Sequence, residues 1–174
     1  MKRVLVIAYY WPPSGGSGVQ RWVKFCKYLP ALGWEPVVYA PLNADYPSLD
    51  PSFEAEVPAS VEVLRGRIWE PYAAYRQLLG GARASTQVTE ISSGPKTWKQ
   101  RLSLWIRGNL FVPDPRVGWV RPSVKFLRKY LAEHPVDVIV TTGPPHSVHL
   151  IGQRLHRALG IPWIPDFRDP WTRM

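Results

Sequence analysis

A glycine-rich segment near the amino terminus is the first feature that suggests ligand chemistry. Gly15, Gly16, Ser17 and Gly18 follow an apolar run and precede residues with helical spacing. Glycines let a ligand approach the main chain closely, and the N–H groups at a helix start attract anions. The segment lacks the Lys-Ser/Thr ending of a Walker A loop and the register of a dinucleotide fingerprint. We expect its backbone to contact ligand oxygens, and the alternative is a plain strand-to-helix turn.

A second loop has the same position between an apolar run and a helical pattern. It contains Gly143, two prolines and His146. The His146 ring could hydrogen-bond a ligand hydroxyl or a developing charge, or it could be satisfied by the backbone at the helix start. We expect His149 and His156, farther along the helix, to be packing or surface residues. The spacing of His146 and His149 lacks the glutamate and the i, i+4 geometry of a zinc-protease helix, so we predict no metal site.

Charged residues cluster after the last predicted strand, where Asp166, Arg168 and Asp169 stand within four positions. Two carboxylates beside a guanidinium can form an ion-pair network that shapes a loop. Alternatively, one carboxylate could orient or deprotonate a hydroxyl of the substrate as a general base. The sequence does not choose between these roles, and we assign no catalytic residue.

The pattern of the whole chain predicts the elements that position these loops. Short apolar runs alternate with helical spacings, which is typical of a doubly wound, Rossmann-like parallel sheet with helices on both faces. Strands are expected at 4–8, 36–40, 61–65, 137–141 and 163–166, and helices at 19–32, 121–134 and 147–159. A strand order of 3-2-1-4-5 would bring the loops at 11–18 and 142–146 together at the switch point. Two helix N-termini would then face one crevice, which implies an anionic ligand.

Composition narrows the classes of protein further. The chain has 174 residues, a formal net charge of +9, nine tryptophans and one cysteine, Cys26. A single cysteine forms no internal disulfide, which favours a reducing, cytoplasmic compartment. The apolar run at 4–10 is too short to span a membrane. The positive charge predicts an anionic partner, but no helix-turn-helix or RNA-binding motif is present, so we predict no nucleic-acid binding.

Two long segments together resemble a known family. They are WPPSGGSGVQRWVKFCKYLPALGWEPVVYAP at 11–41 and DVIVTTGPPHSVHLIGQRLHRALGIPWIPDFRDPW at 137–171. Both are similar to the amino-terminal domain of retaining, GT-B-fold glycosyltransferases of family four. The resemblance covers roughly 1–43 and 117–174, and leaves a variable insertion at about 66–120.

The resemblance implies a role for the whole chain. Residues 1–174 would be the acceptor-side half of a two-domain enzyme, inactive alone, whose carboxyl-terminal donor-binding domain is absent. The enzyme would transfer a sugar from a nucleotide-sugar to a hydroxyl acceptor, a glycan or a lipid-linked molecule, in polysaccharide or glycoconjugate synthesis, without a cofactor. The expected substrate-binding residues are Gly15, Gly16, Ser17, Gly18, Gly143, His146, Asp166, Arg168 and Asp169.

A basic, tryptophan-containing helix is predicted at 98–110. Its aromatic and basic side chains are mixed as in interfacial helices, and they are Trp98, Lys99, Arg101, Trp105 and Arg107. This pattern predicts a peripheral contact with the inner face of the membrane, and the alternative is a helix packed on the domain with a solvated basic face. The rival to the enzyme hypothesis is a basic module that binds a membrane surface or another polyanion without chemistry.

Overall fold

The computed structural model describes residues 1–68 and 113–168. The strands are β1 (Lys2–Ala8), β2 (Trp34–Pro41), β3 (Glu62–Gly66), β4 (Val138–Thr142) and β5 (Trp163–Asp166). The helices are α1 (Ser17–Tyr28), α2 (Ser52–Glu56), α3 (Val120–Glu133) and α4 (Ser147–Leu159), with 3-10 turns at Leu29–Leu32 and Val117–Trp119. The predicted helix at 98–110 and Asp169 lie outside the described residues.

The five strands form one parallel sheet in the order β3-β2-β1-β4-β5. This confirms the predicted fold class and strand order. Leu5 of β1 stands opposite Val37 of β2 on one side and Ile139 of β4 on the other. β1 is the central strand: β2 and β3 follow it on one side and β4 and β5 on the other, so the carboxyl ends of β1 and β4 form the switch point.

The central strand is buried on both faces, which explains why its sequence is continuously apolar. Val4 and Val6 pack with α1 on one face, whereas Leu5 and Ile7 pack with α3 and α4 on the other. The buried side of α1 follows helical spacing through Val19, Trp22, Val23 and Cys26. Burial raises the pKa of the Cys26 thiol to about 12, so this side chain stays neutral within the core.

The structure differs from the sequence-based expectation in three local places. The helix expected at 19–32 ends at Tyr28 and continues as a 3-10 turn that contains Pro30, with Gly33 in the left-handed conformation at its end. α2 lies between β2 and β3, where no helix was expected. Trp119, at the edge of the predicted insertion, is fully buried in the core, where its ring stacks on Tyr39 at a centroid distance of 5.7 Å.

No helix within 1–68 or 113–168 combines the length and the apolar composition that a membrane span needs. The membrane contact predicted for Trp98, Lys99, Arg101, Trp105 and Arg107 lies outside these ranges, so it stays a prediction from the sequence.

Candidate functional site

A cavity of about 290 Å³ lies at the carboxyl ends of β1 and β4. Its wall includes the predicted glycine segment, the predicted Gly143 loop and Arg168, together with Tyr10, Pro47 and Ser48. The sequence predicts a site at this switch point with the first three of these contributors. It does not identify Pro47 and Ser48, because they stand in a Pro- and Ser-rich stretch without periodicity.

The glycine segment has a fixed conformation that opens the start of α1 toward the cavity. Gly16 precedes the helix with φ 109° and ψ 160°, a backbone region that side-chain-bearing residues avoid. The amide of Gly15 donates to the Ser48 carbonyl at 3.0 Å, which ties the loop to the chain beside it. No side chain in the described part of the protein caps α1, and its first turn contains no acidic residue. The positive end of this helix therefore faces the cavity.

Arg168 adds a full positive charge to the same wall. Its Nη2 atom donates to the Ser17 hydroxyl at 3.3 Å. The guanidinium lies so close to Gly18 that a Cβ atom there would overlap it, so a side chain at the second position of α1 would require Arg168 to move. The helix start and the guanidinium together form an electropositive corner suited to phosphate or other anionic oxygens.

The start of α4 differs from the expectation that two open helix N-termini face the crevice. The Ser147 amide donates to Oδ2 of Asp114 at 2.6 Å, so a carboxylate already caps this helix. The next two amides donate to the carbonyls of Pro145 and His146. A second anion at this end would meet the Asp114 charge, so of the two helix starts expected at the crevice only that of α1 is open among the described residues.

His146 occupies the N-cap position of α4 and is 8% exposed. Its ring lies beside Phe167 at a centroid distance of 6.1 Å, behind the loop whose Gly143 and Pro144 line the cavity. The structure therefore places Gly143 on the wall of the cavity and His146 next to it in the packed layer. Contact between His146 and a ligand remains a prediction.

His149 belongs to a buried hydrogen-bonded chain under the same loop. The Trp163 indole N–H donates to Oγ1 of Thr141 at 2.9 Å, and that hydroxyl lies 2.8 Å from Nδ1 of His149. The hydroxyl can donate its own proton to Nδ1 or accept a further hydrogen bond from a protonated Nδ1, so either tautomer of His149 makes this contact. A Cβ atom on Gly143 would come within 2.9 Å of Nε2, so the histidine supports the loop from below and requires glycine above it. The packing role predicted for His149 agrees with this position.

Burial, and to a smaller extent the neighbouring His146, lower the pKa of His149 to about 4, against smaller opposing effects of Asp166 and Asp114. The ordinary value of 6.5 applies when the chain unfolds. Between these two values the unfolded chain binds a proton that the folded protein does not. The contribution of neutral His149 to the free energy of unfolding is therefore complete above about pH 6.5 and is lost as the pH falls toward 4.

We expect His149→Gln to flatten this part of the pH dependence, because glutamine does not titrate. The measurement is the free energy of unfolding in urea at several pH values across the window, for the wild type and the variant. His134→Gln, which removes an exposed histidine at the end of α3, is the control and should keep the wild-type slope. If the free energy of unfolding depends on pH equally in the wild type and in His149→Gln, the loss of stability at low pH does not come from His149.

Asp166 is paired differently from the arrangement suggested by the sequence. Its Oδ2 atom forms an ion pair with Arg21 of α1 and accepts a hydrogen bond from the Trp22 indole at 3.2 Å. In the described part of the chain no ion pair joins Asp166 to Arg168, whose guanidinium turns toward Ser17 instead. Asp166 thus joins the end of β5 to α1, and this contact positions the loop that carries Arg168.

Within residues 1–68 and 113–168, no group of three or more His, Cys, Asp or Glu side chains is arranged to hold a metal ion. The cavity wall instead offers backbone amides, hydroxyl-bearing residues such as Ser17 and Ser48, and the Arg168 guanidinium.

Comparisons with known proteins give a fold likeness only. Neither a protein-family model nor a curated protein sequence matches this chain. Apo UGT2 of Phytolacca americana is similar at 16% identity over 97% of this chain and 30% of its own, with a TM-score of 0.48. UGT2 complexed with UDP-2fluoro-glucose and pterostilbene gives 16% identity over 95% and 30%, with a TM-score of 0.46.

A protein of another class has the same degree of likeness. The carboxyl-terminal domain of PF1911 hydrogenase from Pyrococcus furiosus is 12% identical over 94% of this chain and 90% of its own, with a TM-score of 0.48. The chain spans less than a third of the length of UGT2. The function proposed below rests on the site and not on these likenesses.

Proposed function

We propose that this chain is the acceptor-side domain of a retaining glycosyltransferase of family four with the GT-B fold. The sequence support is the combination of the glycine loop, the TGPPHS loop at 142–147 and the DFRDPW segment at 166–171. The single observation that carries the proposal is their convergence. Arg168 and Ser17, 151 positions apart in the chain, are in hydrogen-bond contact beside a cavity that Gly143 also lines.

The proposed chemistry is sugar transfer from a nucleotide-sugar to a hydroxyl acceptor. The open start of α1 and the Arg168 guanidinium would stabilise negative oxygens, including those of the departing diphosphate, while a second domain holds most of the donor. The Ser17 hydroxyl and the Gly16 backbone would orient the ligand. Asp166 would act as a positioning residue, since Arg21 and Trp22 already hold its carboxylate.

The first test compares binding with transfer for the 174-residue chain. We expect ligand-observed NMR to detect binding of hydroxyl acceptors, and we expect Arg168→Gln to weaken that binding. We expect mass spectrometry to detect no transferred sugar. Robust transfer by this chain alone would contradict its role as half of an enzyme. If polyanions bind but no sugar or nucleotide-sugar does, the non-catalytic basic module is the better hypothesis.

A second test uses the protein in which this chain continues into a donor-binding domain. The product should keep the anomeric configuration of the donor, as measured by the proton coupling at the anomeric carbon. An inverted product would rule out the retaining family while leaving sugar transfer itself intact.

A further inference from the structure

A second cavity, of about 350 Å³, lies between α3 and α4, on the face of the sheet that these two helices cover. Arg121, Lys125 and Arg128 of α3 line it together with Arg154 of α4, over a floor formed by Val124. We call these four cations and Val124 the basic groove. Among its described lining residues, it shares none with the cavity at the ends of β1 and β4.

The helical repeat explains why the cations converge. Residues at i, i+4 and i+7 project from one face of a helix, so Arg121, Lys125 and Arg128 form a row along α3. The apolar faces of α3 and α4 pack into the same core through Leu127, Leu131, Val148, Ile151 and Leu155. This packing brings Arg154 of α4 to the opposite side of the groove from that row.

Nothing in the described part of the chain neutralises these charges. The ion pairs found there involve Arg3, Arg21 and Lys24, and none involves a residue of the basic groove. The sequence of α4 contains no acidic residue, and that of α3 contains one, Glu133, at its last position. The four side chains are exposed, so water and salt screen much of their mutual repulsion, and an anion bound between them would offset the part that remains.

The position of Arg121 adds a separate cost. It stands in the first turn of α3, where the positive end of the helix dipole disfavours a cation, and that turn contains no acidic residue. Folding alone would favour an acid at this position. An anion bound in the groove would offset both the dipole and the mutual repulsion.

We infer that the basic groove binds a phosphate group. Three of its four cations are arginines, whose planar donor forks match phosphate oxygens in pairs. The phosphate can belong to the headgroup of an anionic lipid at a membrane surface or to a soluble phosphorylated molecule. The chemistry of recognition is the same in both, and it does not depend on the function proposed for the first cavity.

The test uses two phosphate probes and two variants of equal charge. The probes are vesicles of phosphatidylcholine with phosphatidylglycerol, compared with phosphatidylcholine alone, and inorganic pyrophosphate followed by calorimetry. The groove variant combines Arg121→Gln, Arg128→Gln and Arg154→Gln. The control variant combines Lys27→Gln, Lys129→Gln and Arg157→Gln, which are exposed positions outside the described lining of the groove and change the net charge equally.

We expect the groove variant to bind at least one probe on the order of a hundredfold more weakly at low salt, and the control variant to lose much less. If the groove variant loses binding to anionic vesicles alone, the groove binds a lipid headgroup. If it loses binding to pyrophosphate alone, the groove binds a soluble phosphate. Arg-to-Lys changes at the same three positions should give an intermediate loss, because they keep the charge but remove the fork. Circular dichroism establishes that each variant is folded.

Three results would overturn the inference. If the wild type binds neither probe at low salt, the basic groove is not a phosphate site. Equal weakening in the groove and control variants would show a diffuse effect of net charge, including membrane contact made elsewhere on the chain. The third result is that the wild type binds duplex DNA more tightly than both probes and that both variants lose DNA binding equally. This would identify a general polyanion surface.

Discussion

Trp119→Ala is expected to lower the free energy of unfolding by about 3–5 kcal/mol, the cost of removing a large aromatic side chain from a packed core. Trp119 is fully buried. Its ring stacks on Tyr39 at an interplanar angle of 12° and meets Tyr9 edge to face at 5.7 Å. The truncation would leave a void between β1, β2 and α3 and would remove both aromatic contacts. Urea unfolding followed by circular dichroism measures the loss.

Trp119→Phe is the matched control. The Nε1 atom of Trp119 is buried in the core. Phenylalanine removes this polar atom and keeps an aromatic ring against Tyr39. We therefore expect a much smaller loss than for alanine. If both variants unfold at the same urea concentration as the wild type, Trp119 does not contribute to the core in the way its burial indicates.

The sheet could be predicted because its signals are local. The run from Val4 to Ala8 is apolar without alternation, as a strand covered on both faces must be. The spacing of Val19, Trp22, Val23 and Cys26 identifies the buried face of α1. Trp119 could not be assigned to the core in the same way. It stands in a 3-10 turn of three residues, too short for a period to show.

The location of the site was also predictable, since strand order alone brings the two loops together. The partners within it were not. Asp114 caps α4 from 33 positions away, and Arg21 pairs with Asp166 across 145 positions. Such contacts depend on where the folded chain places each side chain, and no local pattern encodes them. For the same reason the expectation of two open helix starts was half correct, because a carboxylate that the sequence did not connect to α4 occupies one of them.

Gly16→Val is expected to destabilise the chain by about 1–3 kcal/mol and to reduce sugar transfer in the proposed two-domain enzyme. Gly16 has φ 109° and ψ 160°, and no atom lies within 4 Å of the place where a Cβ would stand. The cost therefore comes from the backbone, which must rotate away and carry the start of α1 with it. Because this helix start and Arg168 form the electropositive corner, we expect at least a tenfold loss in kcat/KM, or about 1.4 kcal/mol of transition-state stabilisation.

The control for backbone strain is Gly33→Val, at the end of the 3-10 turn that follows α1. Gly33 also has a positive φ, 81°, and open space around its Cα, but it lies outside the described lining of the cavity. The Gly33→Val variant should lose about 1–2 kcal/mol of its free energy of unfolding and keep the wild-type kcat/KM. Urea unfolding and initial-rate kinetics on both variants separate the two effects. If Gly16→Val and Gly33→Val lose stability alike and both transfer sugar at the wild-type rate, the glycine loop is only a connection between β1 and α1, and the ligand-facing role proposed for it is wrong.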